Sequence, residues 1–217
     1  GPDGAIYIAD WYNPIIQHGE VAFRDPRRDH EHGRISRVTA KGRPLVPRPQ
    51  IAGASPEGLV KLLTKDEEWT RIQARQTLKN KPLDQVAPAL ENWIARSTLE
   101  GAEKERQVLE ALWTWQTLDI VHPELLLEGL AAKDFHARAA AVRILKHWLP
   151  RLEPQQEWRD RAKALALDEN PRVRLEAIRL LGSVPSAESA LAALEAFNLE
   201  RDRYLDYALL VTLRELK

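Results

Sequence analysis

The chain has 217 residues, 44% of them hydrophobic, so it is long enough to bury one large core or two small ones. Its 32 basic and 32 acidic residues give zero net charge, whereas nucleic-acid binders usually carry a basic excess that neutralises phosphates. The absence of cysteine excludes disulfides, thiolate metal sites and covalent attachment of c-type haem within this chain.

The chain contains no methionine and begins at Gly1, so we interpret it as a piece of a longer protein. Its first letters, GPDGAIYIADWY, place a Pro-Asp-Gly turn signal directly before a strand-like run, which favours native sequence over a cloning scar. No run of about 18 apolar residues is present, so no membrane span is predicted.

Two short strands are predicted at residues 5–11 (AIYIADW) and 34–40 (RISRVTA), because apolar and polar residues alternate in both. Four apolar residues are expected to share one face: Ile6, Ile8, Ile35 and Val38. Two strands alone are only marginally stable in water. We therefore predict that this face packs on the first helix pair, around Leu59, Leu62 and Leu63.

A linker follows the strands, since four prolines from Pro44 to Pro56 exclude regular structure. The sequence Ser55-Pro56-Glu57 then has the features of a helix start, with Ser as the N-cap and Pro at the first helical position. We accordingly divide the chain into residues 1–43, a linker at 44–55 and a helical region at 56–217.

Ten helical segments are predicted after the linker, and five of them share a pattern with alanine at its fourth place. The five runs are RIQARQTL, VLEALWTW, RAAAVRIL, RLEAIRLL and LDYALLVT, which begin at Arg71, Val108, Arg138, Arg174 and Leu205. A small residue lets paired helices approach closely. The run DENPRVRLEAIRLLG (168–182) resembles the inner helix of HEAT repeats. The resemblance implies a mainly α fold, a right-handed superhelix of about five helix pairs, preceded by a short β segment.

Residues 1–50 carry a second resemblance. GPDGAIYIADWYNPII is similar to a blade strand of a sugar-dehydrogenase-like propeller. HGEVAFRDPRRDHEHGRISRVTAKGRP followed by HEAT repeats resembles planctomycete-type membrane-bound dehydrogenase-like, haem-binding CxxCH proteins. In that family a propeller precedes the HEAT region and a cytochrome c domain with a CxxCH motif closes the chain. The resemblance implies that residues 1–43 are the C-terminal edge of a propeller in a periplasmic or secreted parent.

The same resemblance implies a parent that is a quinone-dependent, dehydrogenase-like oxidoreductase with haem c and a quinone or calcium. This chain lacks CxxCH, so it is expected to hold no cofactor and to act as a scaffold or spacer, not catalytic by itself. Its expected partners are proteins or neighbouring domains of the parent, and no nucleic acid. The alternatives are an independent HEAT interaction module and a HEAT-like DNA glycosylase, although acidic residues slightly outnumber basic ones after residue 50.

The stretch between the two strands, about 22 residues, is far longer than an ordinary hairpin loop and is dense in charge. Three hypotheses remain open for it. In the first, its arginines pair with its acids and pin the loop: Arg24, Arg27, Arg28 and Arg34 with Asp25, Asp29 and Glu31. In the second, four residues face a cofactor or substrate pocket on the propeller axis: His18, Glu20, His30 and Arg34.

The third hypothesis is a metal site. His30 and His32 are two residues apart, which on an extended chain puts both side chains on one side, and Asp25 or Asp29 would complete the ligand set. In the helical region, Arg71, Arg138 and Arg174 occupy equivalent places in their repeats. They either line an anion-binding face or pair with acids of neighbouring repeats.

Overall fold

The computed structural model describes residues 1–10 and 25–216, and within these ranges the chain forms two strands and ten α-helices. The strands are β1 (Ile6–Asp10) and β2 (Arg34–Val38). The helices are α1 (Pro56–Leu62), α2 (Glu68–Lys79), α3 (Leu83–Ala95), α4 (Gly101–Thr117), α5 (Pro123–Leu130), α6 (Phe135–Trp148), α7 (Gln155–Leu165), α8 (Pro171–Gly182), α9 (Ala187–Glu195) and α10 (Arg203–Glu215). Short 3₁₀ turns follow α6 at Leu149–Arg151 and α9 at Ala196–Asn198.

Six of these helices have a polar N-cap residue whose side chain accepts a hydrogen bond from a backbone N–H of the first turn. Such an N–H has no partner within the helix itself. The six are Ser55, His122, Asp134, Asn170, Ser186 and Asp202. Asp66 also precedes a helix but does not cap it, because α2 begins after Glu67 without a side-chain cap. Asp66 instead forms an ion pair with Arg106 of α4 at 3.2 Å.

The helices form five consecutive pairs, and the second helices of the pairs stack on one another. Helix α2 packs on α4, α4 on α6, α6 on α8 and α8 on α10, and we call these five helices the inner row. The fourth-place alanines lie inside this packing, with exposed fractions of 0% for four and 7% for the last: Ala74, Ala111, Ala141, Ala177 and Ala208. The predicted repeat register is therefore confirmed, since no larger side chain fits where the backbones come this close.

One continuous apolar core runs through the repeats, from Leu59 in α1 to Leu209 in α10. Three tryptophans contribute to it, with Trp115, Trp148 and Trp158 each less than 5% exposed. These tryptophans therefore serve packing between helices, because an indole buried this deeply has no face left for a ligand.

The two strands pair in antiparallel register, with Ile6 opposite Val38 and Ala9 opposite Ile35. Side chains alternate between the two faces of a strand, so residues three apart lie on opposite faces. Ile35 is therefore on the face of Tyr7, while Val38 is on the face of Ile6. The prediction of one shared apolar face is wrong, because it placed two residues of odd separation on the same side.

The prediction that the sheet buries this face against the first repeat is also wrong. The exposed fractions are 65% for Ile6, 49% for Ile8, 74% for Ile35 and 49% for Val38. The leucines expected to receive them are already packed in the helical core, where α1 contacts α2 and α3. The sheet region is held to the linker instead, where the amide of Val46 donates to the carbonyl of Asp3 at 2.9 Å.

Candidate functional site

Two of the four predicted rim residues, His18 and Glu20, lie outside the described residues. Of the other two, Arg34 donates from Nε to Oδ2 of Asp10 at 2.8 Å, which ties the ends of β1 and β2 together. His30 is exposed to solvent. The rim hypothesis stays a prediction, and the contact of Arg34 is the one expected if the loop arginines pair with acids.

The two aspartates of the predicted metal set stabilise turns of the loop. Asp25 accepts from Nε and Nη2 of Arg27 at 3.0 and 2.8 Å, and these bonds hold its pKa at about 2. Asp29 accepts from the amide of Glu31, which lowers its pKa, and its carboxylate lies 3.0 Å from Nδ1 of His32. In residues 1–10 and 25–216, no group of three or more potential ligands is arranged to hold a metal ion. The four-residue metal set stays a prediction.

A carboxylate that the sequence did not single out organises the N-terminal turn. Although partial burial raises the pKa of Asp3, hydrogen bonds from the amide of Ala5 and from the side chains of Arg37 and Tyr7 lower it to about 2. Arg37 belongs to β2, so Asp3 joins the turn before β1 to the opposite strand.

In the inner row, three arginines at the first place of the repeat pattern each close the loop before their own helix. Nη1 of Arg71 donates to the carbonyls of Lys65 and Asp66 at 2.8 and 2.7 Å. Arg138 makes the same pair of bonds to residues 132 and 133, and Arg174 to residues 168 and 169, at 2.9–3.0 Å. A single guanidinium group thus satisfies two carbonyls that no helix satisfies.

The same three arginines reach forward to the next repeat. Arg71 donates from Nε to Glu110 at 2.7 Å. Arg138 forms a bidentate ion pair with Asp168, in which both hydrogen bonds are 3.1 Å long. Arg174 donates from Nη2 to the carbonyl of Glu200. Of the two sequence hypotheses, pairing with an acid of the neighbouring repeat is confirmed for Arg71 and Arg138, whereas Arg174 reaches a backbone carbonyl of that repeat. These guanidinium groups are committed to structure and do not form an open anion site.

Two buried glutamates at the third place of the repeat pattern each form ion pairs with two or more arginines. Glu110 of α4 is 2% exposed and receives both Arg71 and Arg75 of α2. Burial raises the pKa of Glu110, while the charges of these two arginines act in the opposite direction. The side chains of the two arginines are only 16% exposed, so this first cluster is largely enclosed.

The second cluster is open to solvent. Glu176 of α8 is 3% exposed, and three arginines converge on it: Arg143 of α6 at 2.8 Å, Arg172 at 3.3 Å and Arg179 at 3.2 Å. Their side chains remain 54%, 49% and 53% exposed. We call these three residues the arginine trio. Three positive groups share one carboxylate, so the cluster has two positive charges in excess on a chain whose net charge is zero.

Helix α10, which packs on α8, presents an exposed stripe of Tyr204, Tyr207 and Leu210, with exposed fractions of 58%, 70% and 48%. The three are spaced by three residues, so they lie along one side of the helix. Tyr207 occupies the third place of its repeat, where α8 has Glu176. The sixth-place Arg143 contacts the third-place Glu176 one repeat later. Arg179 and Tyr207 hold the corresponding sixth and third places of the last two repeats, so the repeat geometry predicts that they are neighbours.

The sequence reasoning missed Glu110, Glu176 and Tyr207. The third place of the pattern is Gln, Glu, Ala, Glu and Tyr in the five repeats. A charged residue directly before the invariant alanine, as at Glu110 and Glu176, is the signal that could have indicated a pairing site for arginines of neighbouring turns. No helix in the described ranges has the length and apolarity needed to cross a membrane.

Comparisons with known proteins agree with this architecture. A family model of HEAT repeats matches residues 123–214, and a model described as a domain of unknown function (DUF7133) matches residues 1–42. The crystal structure of an engineered protein aligns at 18% identity and a TM-score of 0.41, covering 74% of this chain and 78% of the other, a likeness too low to support an argument. No curated protein matches the chain.

The chain is thus mainly α-helical, with HEAT repeats that follow a short two-stranded segment. Repeats of this kind form a scaffold or interaction module, in which stacked helices present an extended surface to partners. The inner row, with its arginine trio and its exposed tyrosines, is the surface of this chain best suited to that role.

Proposed function

We propose that this chain is the scaffold region of a larger periplasmic or secreted redox protein of the dehydrogenase-like, c-type haem kind, and that its inner row holds a neighbouring domain of the same parent. The chain itself is not catalytic in this proposal. The parent supplies haem c and a quinone or calcium. The resemblance of residues 1–50 to a propeller edge, directly followed by HEAT repeats, supports the redox part of the proposal.

One observation supports the scaffold role above all. The inner row is a single stack of five helices whose repeats are bridged by Arg71, Arg138 and Arg174, so its exposed side keeps a fixed shape. A surface that is ordered before binding loses little conformational entropy when a partner docks. The exposed residues Arg143 and Tyr207 are of the two types that, with Trp, are most enriched among the residues that dominate interface energies.

Hydroxyl-radical footprinting of the parent protein and of residues 1–217 alone tests the proposal. Oxidation of Tyr204 and Tyr207 should be several-fold lower in the parent, because a docked domain covers the inner row. Leu191 of α9 is 61% exposed and lies outside the inner row, so it serves as the reference and should react equally in both proteins.

Equal oxidation of Tyr207 in the two proteins would show that no domain of the parent docks there, and the same-chain scaffold would be wrong. The second candidate is an independent interaction module with an external partner, and the open arginine trio favours it specifically. In that case, Tyr207 becomes protected only after a separate protein is added to the parent.

A further inference from the structure

We infer that the inner row at α6, α8 and α10 binds an acidic amphipathic peptide segment, whose carboxylates contact the arginine trio and whose apolar side chains contact Tyr207 and Leu210. This inference rests on the proposed interaction function and specifies the chemistry of the partner. Three features of this surface support it: its positive charge, its rigidity and the apolar stripe on α10.

The positive charge of this surface arises because three arginines share the single carboxylate of Glu176. In the contacts with Glu176, Arg143 uses Nε, Arg172 uses Nη2 and Arg179 uses Nη1. A guanidinium group carries five N–H donors, so each of the three keeps donors that face solvent. One carboxylate cannot neutralise three such groups. The fork geometry of arginine matches a carboxylate, so additional carboxylates are the ligands that these donors fit.

The rigidity of this surface comes from Glu176, the buried member of the cluster. Glu176 is 3% exposed and belongs to α8, which packs between α6 and α10, so it anchors all three guanidinium groups at a fixed point of the surface. An exposed ion pair ordinarily gains little because two long side chains must be immobilised. Here the contacts with Glu176 already restrict the three side chains in the free protein, which favours the binding of a second carboxylate.

The apolar stripe sets the kind of acidic partner. Tyr204, Tyr207 and Leu210 lie along one side of α10 and remain about half exposed or more. A purely anionic polymer leaves these side chains in water, whereas a segment that alternates acidic and apolar residues covers them. A duplex of DNA offers phosphates to the arginines but presents no flexible apolar side chains to the stripe.

The test is fluorescence anisotropy with a fluorescein-labelled peptide of repeated Glu-Glu-Leu units. Binding should weaken as salt is added, because the exposed charges are screened. A Gln-Gln-Leu peptide and a Lys-Lys-Leu peptide of the same length should bind at least about tenfold more weakly, since the charge-assisted hydrogen bonds are absent. Labelled duplex DNA should also bind at least about tenfold more weakly than the acidic peptide.

Matched variants locate the site. The double variant Arg143→Gln/Arg179→Gln should lose about tenfold in affinity or more, because two charge-assisted contacts disappear. Arg159→Gln/Arg161→Gln removes the same charge from α7, where both arginines bond within their own helix, and should change affinity less than about twofold. Both variants are compared by circular dichroism with the unmodified chain.

Two further variants keep the inference testable if the double variant unfolds. Tyr207→Ala changes a side chain that is 70% exposed, so it should fold normally and still weaken binding of the acidic peptide several-fold. Leu210→Ala shortens an apolar side chain of the stripe that is 48% exposed, so it should likewise fold normally and weaken binding of the acidic peptide. Equal binding of Glu-Glu-Leu and Gln-Gln-Leu peptides, tighter binding of DNA, or equal loss in the α7 control variant would overturn the inference.

The outcome separates this inference from the proposed scaffold function. Protection of Tyr207 in the parent without any binding of the acidic peptide would refute the partner chemistry and leave the scaffold intact. Tight binding of the acidic peptide with Tyr207 unprotected in the parent would support the inference and refute docking within the same chain.

Discussion

The substitution Ala177→Asp tests most directly how the repeats are held together. Ala177 is the fourth-place alanine of α8, it is 0% exposed, and its helix packs against both α6 and α10. An aspartate there places a carboxyl group between helices. Because the site has no room for water, the carboxylate loses its hydration and gains no compensating partner from its apolar surroundings.

The expected loss of stability follows from two terms. Keeping the carboxyl group protonated at pH 7, against an ordinary pKa of about 3.9, costs about 4 kcal/mol. The added volume costs about 1–3 kcal/mol more. The sum is comparable to the whole free energy of unfolding of an ordinary domain, about 5–15 kcal/mol. For a helical region of this size, a loss of 4 kcal/mol corresponds to a fall in Tm of about 8–16 °C.

Thermal unfolding followed by circular dichroism measures the effect, with two controls. Ala177→Val adds volume without charge and should lose only about 1–3 kcal/mol. Ala164→Asp places the same group on an exposed position of α7 and should change stability by about 1 kcal/mol or less. Since burial raises the pKa of the new aspartate, the ionisation part of the penalty is present at neutral pH and disappears as pH falls toward 4, while the part due to added volume remains. If Ala177→Asp and Ala164→Asp have the same Tm at pH 7, the close helix contact at Ala177 is refuted.

Four further outcomes are expected. Asp202→Ala should destabilise the chain by about 1 kcal/mol in urea unfolding, because it removes the cap of α10; an unchanged midpoint would contradict this. Gly129→Ala should be destabilising despite a gain in helix propensity of about 1 kcal/mol, since the new Cβ lies 2.7 Å from Cδ1 of Leu112; a higher Tm would refute the close contact. Carboxyl NMR should find Asp3 titrating near pH 2 and not near 3.8, so its stabilising contribution is present above pH 3.8 and is lost as pH falls through about 2. The purified chain should acquire no covalent haem when it is produced with a c-type maturation system, because it has no cysteine; a Soret band that survives acid extraction would disprove this.

The repeat pattern allowed the inner row to be predicted residue by residue. A helix that packs on two neighbours needs a small residue at the closest approach, and the alanines at 30–37-residue spacing mark that place in each of the five repeats. The helix start at Ser55 was predicted for a similar reason, since an N-cap is a local interaction within a few residues.

The candidate site was less predictable, because its members come from different repeats. Arg143 and Glu176 are separated by 33 residues and meet only because α6 packs on α8. The spacing alone could not tell that Arg71, Arg138 and Arg174 are committed to loop carbonyls while the arginine trio remains open. That difference depends on which nitrogen atoms face the neighbouring loop and which face solvent.

The sequence by itself determined the number and phase of the helix pairs, the cap at Ser55 and the impossibility of covalent haem attachment, because each depends on residue identity or short-range periodicity. Only the tertiary structure decided the faces of the sheet, its exposure to solvent and the open arginine trio. Strand faces depend on pairing register, and burial depends on which surfaces the neighbouring elements already occupy. Both are relations between distant segments, and a local pattern of residues does not specify them.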